Sequence, residues 1–198
     1  MKNTLPFSTL SFKVTLRDSD PAIWRRILIP EGFNFYQLHI ALQAAFGWEN
    51  YHLFEFTKTR SFGIDSIGIP DDENNARDAR KVSLKKIFKK IGDSYGYIYD
   101  FGDYWQHDIE LEAITTEEVH TAVCVEGENE CPPEDCGGVH GYLEMIQTFK
   151  TGTAAEKKDF QDWLGLSPKK DWDPGYYNQR EVNKRMALLA PDNLTFRD

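Results

Sequence analysis

The stretch from residue 95 to 112 constrains the fold more than any other. It reads Tyr-Gly-Tyr-Ile-Tyr-Asp-Phe-Gly-Asp-Tyr-Trp-Gln-His-Asp-Ile-Glu-Leu-Glu. Aromatic and β-branched residues dominate, and apolar residues alternate with polar ones after Trp105, which marks two strands. Gly102-Asp103 predicts a two-residue hairpin turn, because glycine accepts a positive φ. That register sets Asp100 opposite Trp105 and Ile98 opposite His107. One face would then carry Ile98, Asp100, Trp105, His107, Ile109 and Leu111. Asp100 and His107 are the only ionisable groups on it. Three partners are open to Asp100: His107 as a diagonal neighbour, the indole N–H of Trp105, or a backbone N–H of the turn.

The remaining pattern puts strands early and helices late. Residues 11–17 alternate Phe12, Val14 and Leu16 with polar residues, and 23–29 form the natural partner. Arg25 and Arg26 interrupt that second strand, so at least one must face solvent or an acid. Asn34 caps a helix whose stripe is Leu38, Leu42, Ala45 and Phe46, ended by Gly47. Strands are expected at 52–57 and 62–69, and a loop at 70–79. Ser83 begins a short helix with Leu84, Ile87, Phe88 and Ile91 on one side. Residues 115–137 read as a long loop. Helices are expected at about 139–149, 154–164 and 178–190. The whole is a single α+β domain over residues 1–198: a mostly antiparallel sheet of strand pairs with intervening helices, the helices clustered in the C-terminal part.

Charge narrows the function classes. The net charge is −9, which disfavours a basic nucleic-acid coat. It is also uneven. Between Ile91 and Phe149 there is no Lys or Arg but fourteen acids, whereas the rest of the chain has 18 acids against 23 bases. Just upstream, the run from Arg77 to Lys90 holds seven bases and one acid. Arg80, Lys81, Lys85, Lys86, Lys89 and Lys90 are therefore candidate nucleic-acid contacts, with a solvated helix face as the plain alternative. No run of about 18 apolar residues exists, so no membrane span is expected. Residues 1–20 show no signal-peptide pattern, and the expected compartment is the cytoplasm.

The acidic segment also holds every cysteine: Cys124, Cys131 and Cys136. Cys131-Pro132-Pro133-Glu134-Asp135-Cys136-Gly137-Gly138 is a stiff, short string. Its spacing allows zinc thiolates if His107, His120 or His140 completes the set. Glu134 and Asp135 would instead suit a harder cation, with Asp100 or Asp103 added from the hairpin. The candidate cleft is Asp100, Asp103, Trp105, His107, Glu134 and Asp135. The candidate metal ligands are Asp100, His107, Cys131 and Cys136, for zinc, manganese or magnesium. The alternative is a tight loop whose cysteines pack as small apolar groups. Phosphate-binding, dinucleotide, zincin and nucleophile-elbow motifs are absent. His52-x-x-Glu55 lacks the Pro-Cys-x-x-Cys of a zinc deaminase.

Several strings occur together and in order. They are Ile23-Trp24-Arg25-Arg26-Ile27, Leu38-His39, Phe46-Gly47-Trp48, His52 to Phe56, the run from Tyr97 to His107, the cysteine string, Gly141-Tyr142, Asp173-Pro174 and Asn183. On these the chain resembles the plasmid pRiA4b ORF-3-like family from about residue 10 to 190. The resemblance implies an α+β fold and an association with insertion elements. Some members carry a resolvase-type label, but no serine among arginines here supports recombinase chemistry. No activity comes with the resemblance.

Three functions are compatible with these residues. One is a non-catalytic accessory protein that docks a basic partner on its acidic segment. Another is a metal-dependent hydrolase, acting for instance on phosphodiesters. The third is a nucleic-acid binder using the 77–90 stretch.

Overall fold

The computed structural model describes residues 8–58, 65–72, 74–167 and 172–188. Eight strands form one sheet: β1 (Thr9–Leu16), β2 (Trp24–Pro30), β3 (Phe54–Thr57), β4 (Ser66–Gly68), β5 (Arg77–Asp78), β6 (Ser94–Tyr99), β7 (Trp105–Thr115) and β8 (Val123–Glu128). Their order is β5-β4-β3-β6-β7-β1-β2-β8, antiparallel except for the β4–β5 pair. The helices are α1 (Phe35–Phe46), α2 (Leu84–Ile87), α3 (Gly138–Thr151), α4 (Ala154–Trp163) and α5 (Gln179–Ala187). This is the expected α+β arrangement, with three of the five helices among the described residues after β8.

Helix α1 forms where its caps predict. The Asn34 carboxamide oxygen accepts from Gln37 N at 2.8 Å, and the Gln37 carboxamide oxygen accepts in turn from Asn34 N at 2.9 Å. Gly47 closes the helix in the left-handed region with φ 90°. Leu38, Leu42, Ala45 and Phe46 are buried, as the stripe requires.

Four expectations change. The hairpin turn is longer than two residues. Tyr99 pairs with Trp105, Ile98 with Gln106 and Tyr97 with His107, leaving residues 100–104 as the connection. That is a slip of one residue, and with a side-chain period of two it flips one strand. Tyr95, Tyr97 and Tyr99 therefore share the buried face with Trp105, His107, Ile109 and Leu111. Asp100 leaves the sheet and takes φ 56°, and its backbone carbonyl accepts from Tyr104 N at 2.7 Å. It does not orient His107. The second change is β8, which lies inside the stretch read as a loop and pairs with β2. The third is α2, a single turn that ends at Ile87, capped by Phe88, rather than at Ile91, and the fourth is the expected loop at 70–79, which contains β5. The expected strand at 62–69 is realised as β4, and its first residues lie outside the described ones.

The acidic segment is partly neutralised by the strands it joins. Arg17 makes two bonds to Asp108, at 3.0 and 2.5 Å. Arg26 binds Glu112 at 2.6 Å and also pairs with Glu126. Arg26 is thus the arginine that faces acids, and Arg25 turns inward.

Candidate metal centre

Three connections meet beside the β6–β7 hairpin: residues 47–53 after α1, the hairpin loop 100–104, and residues 129–137 between β8 and α3. They are tied together by specific bonds. Trp48 Nε1 donates to Pro132 O at 3.0 Å, and Glu49 N donates to the Glu134 carboxylate at 2.8 Å. Tyr99 donates its hydroxyl hydrogen to Glu134 Oε1 at 2.9 Å and accepts from Tyr51 N at 3.2 Å. Asp100 N donates to Leu53 O at 2.9 Å. Gly137 N donates to Asp103 Oδ2 at 3.1 Å.

The close seam between the cysteine string and the hairpin depends on glycine. A Cβ on Gly138 would lie 2.6 Å from Asp103 O, and its φ is 68°. A Gly138→Ala variant is therefore expected to lose about 1–3 kcal/mol of stability, readable in a urea titration. A variant as stable as the wild type would show that the seam does not require the close approach.

His52, Asp100 and Asp135 each direct one ligand atom into this junction, all within 4.8 Å of one another. His52 Nε2 lies 3.1 Å from Asp135 Oδ1, 3.7 Å from Asp100 Oδ2 and 3.9 Å from Glu134 Oε2. None of these contacts is aligned as a hydrogen bond. His52 Nε2 and Glu134 Oε2 are both buried from solvent and have no hydrogen-bond partner. Asp100 is 6% exposed, and its other oxygen accepts from Gly102 N at 2.8 Å. With metal–ligand bonds of about 2.0–2.2 Å, two donors on one ion sit roughly 3–4 Å apart. The distances from His52 Nε2 fall in that range. Carboxylates this close together repel, and a cation between them removes the conflict.

Backbone strain collects at the same place. Of seven described non-glycine residues with positive φ, four are Asn50, Asp100, Tyr104 and Asp135. Such residues cost about 1–3 kcal/mol and cluster at functional sites.

A buried polar network anchors the loop that carries His52. His39 Nε2 contacts Asn50 Oδ1 at 2.7 Å, and its Nδ1 contacts the Tyr97 hydroxyl at 2.8 Å. Gln43 donates to the same hydroxyl at 2.9 Å. The carboxamide oxygen of Asn50 can only accept, so Nε2 carries the proton and Tyr97 donates to Nδ1. Burial lowers the His39 pKa to about 3, in keeping with that neutral ring.

The sequence-derived residues divide accordingly. Asp100, Glu134 and Asp135 come together, and Asp103 borders them. His107 is fully buried against Trp48 and Phe46, with Nδ1 3.4 Å from Tyr97 O. Trp105 is buried on the same face. Cys131 accepts from Arg25 at 3.1 Å, and burial pushes its thiol up to about 11. Cys136 is pushed up to about 12, by burial first and then by Asp103. The set Asp100, His107, Cys131 and Cys136 is therefore not assembled, and both thiols are held protonated. His52 joins Asp100 and Asp135 although the sequence alone does not select it; it opens one of the strings carrying the resemblance. Arg80 and Lys81 already pair with Asp78, while Lys85, Lys86, Lys89 and Lys90 are exposed.

The family model for plasmid pRiA4b ORF-3-like protein matches residues 8–181. The chain belongs to that family. A pRiA4b ORF-3-like relative, the uncharacterized protein y4hQ of Sinorhizobium fredii, is 37% identical over 190 residues, covering 92% of this chain and 93% of the relative. A crystal structure of a protein of unknown function, MM3350 of Methanosarcina mazei Go1, is 36% identical with a TM-score of 0.76. It covers 89% of this chain and 98% of that one. The solved structure shares the fold over most of this pRiA4b ORF-3-like chain, and neither description names an activity. No helix among the described residues is long and apolar enough to cross a membrane.

Proposed function

We propose that this protein is a metal-dependent hydrolase whose divalent ion is held by His52, Asp100 and Asp135, with Glu134 as the fourth ligand. One observation carries this reading. A buried imidazole nitrogen and a buried carboxylate oxygen, both without hydrogen-bond partners, face the same small space as two further carboxylates. One nitrogen and several oxygens suit zinc or manganese, and magnesium less well. The ion would lower the pKa of a bound water toward about 7 and so supply hydroxide at neutral pH. Tyr99 and Glu49 N would fix Glu134 as outer partners of the ligand set. The cysteines and His107 take no part.

The non-catalytic docking role and the mobile-element association have no comparable geometry behind them. Arg17 and Arg26 cancel three acids of the segment, Asp108, Glu112 and Glu126, away from the centre.

Calorimetric titration of the EDTA-stripped chain with zinc, manganese and magnesium tests the proposal. One equivalent of zinc or manganese is expected to bind. His52→Ala and Asp100→Ala should each weaken binding by about 100-fold or more, since even outer-partner losses reach about 10–100-fold. Cys136→Ser should leave the affinity unchanged. Absence of binding and of any thermal shift with all three ions would overturn the reading. Metal-restored turnover of a chromogenic ester would support the hydrolytic step.

A further inference from the structure

Five carboxylates surround the centre. Asp100, Glu134 and Asp135 belong to the ligand set, and Glu49 and Asp103 stand at its edge. Glu49 is joined to the centre through its own N–H bond to Glu134, and its carboxylate accepts from the Tyr51 hydroxyl. Among the described residues, no Lys or Arg forms an ion pair with any of the five. Farther along the same segment, Asp108, Glu112 and Glu126 do have arginine partners.

A single divalent ion cancels two of these five charges. A phosphate ester would then approach like charge, with no arginine or lysine to clamp its oxygens. A neutral substrate would leave the excess uncompensated. A cation would be drawn in and held.

The rim adds a second requirement. His52 is flanked by Tyr51 and Leu53, which are 72% and 61% exposed. They stand immediately on either side of a ligand whose own nitrogen is buried. Apolar rim and anionic floor together match a lysine or arginine side chain, whose methylene stem covers apolar surface while its head seeks charge. The Tyr51 ring can also take a cation on its face.

We propose that the centre takes a basic peptide segment, its cationic head seated against Glu49 and Asp103 and its stem over Tyr51 and Leu53. This inference rests on the metal reading for the position of the site, and it names the class of molecule that the site accepts. It replaces the phosphodiester among the candidate substrates.

Fluorescence anisotropy on the full-length, manganese-loaded chain tests it. The probes are a labelled peptide of alternating lysine and leucine, the same peptide with glutamine for lysine, and a labelled oligothymidylate of equal length. The lysine peptide is expected to bind, to weaken steeply with added salt, and to outcompete both other probes by about tenfold or more. The double variant Glu49→Gln with Asp103→Asn should lose at least about tenfold in peptide affinity while keeping its manganese stoichiometry, because neither residue is a proposed ligand. Equal or tighter binding of the oligonucleotide or the glutamine peptide would overturn the inference, as would an unchanged affinity in the double variant. Manganese uptake is measured in the same samples and the peptide arm is repeated in EDTA. A failure to bind metal is thereby separated from a failure to prefer cations.

Discussion

Acidifying the metal-free protein from about pH 6.5 to 4.5 is expected to remove roughly 5 kcal/mol of stability, and two buried histidines are the reason. His39 and His107 are both fully buried, and burial is the first cause that lowers each pKa to about 3. Both titrate near pH 6.5 when unfolded. Between those limits the unfolded chain binds protons that the folded chain refuses. Stability therefore rises with pH through this window and falls on acidification. Each histidine contributes a slope of about 1.4 kcal/mol per pH unit, so the pair gives nearly 3.

Burial and the hydrogen bonds explain why the folded state refuses the proton. His39 Nδ1 already accepts from Tyr97, and a proton there would face another. His107 Nε2 is buried with no hydrogen-bond partner. Burial outweighs the backbone of Tyr97 and of Trp105, which favours charge on His107, and Arg17 disfavours that charge as well. Carboxylates with lowered pKa, such as Asp78 at about 2, act only at lower pH. The upper window thus belongs to the histidines. Total stabilities are typically about 5–15 kcal/mol, so the loss is large enough to unfold the chain. Urea midpoints measured across this range in EDTA should fall steadily, and His107→Phe should remove about half of the slope. A flat profile between about pH 7 and 5 would show that neither ring is buried in its neutral form.

How much of this was legible in the residues follows from where each signal lies. Helix α1 was legible because Asn34, Gln37 and Gly47 specify its ends within the segment itself. The alternation of β7 was legible for the same reason. The hairpin register was not. Gly102-Asp103 has the composition of a tight turn, but Asp100 and Tyr104 adopt the left-handed region and lengthen the connection. A one-residue slip then moved three tyrosines to the core. Strand β8 was hidden because Val-Cys-Val-Glu-Gly-Glu has little apolar content of its own. It becomes a strand through pairing with β2, and α5 lies over it, with Asn183 and Gln179 holding Cys124. Three of the four proposed ligands of the candidate site, Asp100, Glu134 and Asp135, were visible as acids in two distinctive strings. Its histidine was not, because His52 meets Asp100 and Asp135 only once α1 and three loops have packed together.

Arg25→Ala is expected to cost about 3–5 kcal/mol, the sum of buried carbonyls left without donors and a cavity. The residue is 3% exposed, yet no carboxylate among the described residues bonds to it. Its five N–H groups reach five neutral acceptors. Nε donates to Ala45 O at 3.2 Å, Nη1 to Trp24 O at 2.8 Å and Glu128 O at 2.7 Å, and Nη2 to Asn129 O at 2.8 Å and Cys131 Sγ at 3.1 Å. The Tyr177 ring covers it at 4.7 Å. Ala45 lies in the last turn of α1, where the helix dipole favours a cation. Arg25 therefore joins the end of α1 to the chain leaving β8, which goes on to supply Glu134 and Asp135.

Alanine would leave several buried carbonyls unpaired, at about 1–3 kcal/mol each, along with a cavity. Methionine would fill the space and still orphan the carbonyls, so Arg25→Met should recover only the packing share. Lysine has three donors on a point charge and cannot reproduce the planar fork. For a chain of this size, the alanine variant should melt roughly 6–20 °C lower. Its metal affinity should also fall, although Arg25 touches no proposed ligand. An alanine variant within about 1 kcal/mol of the wild type would mean that water can replace the guanidinium, and that the loop carrying Glu134 is held by other contacts.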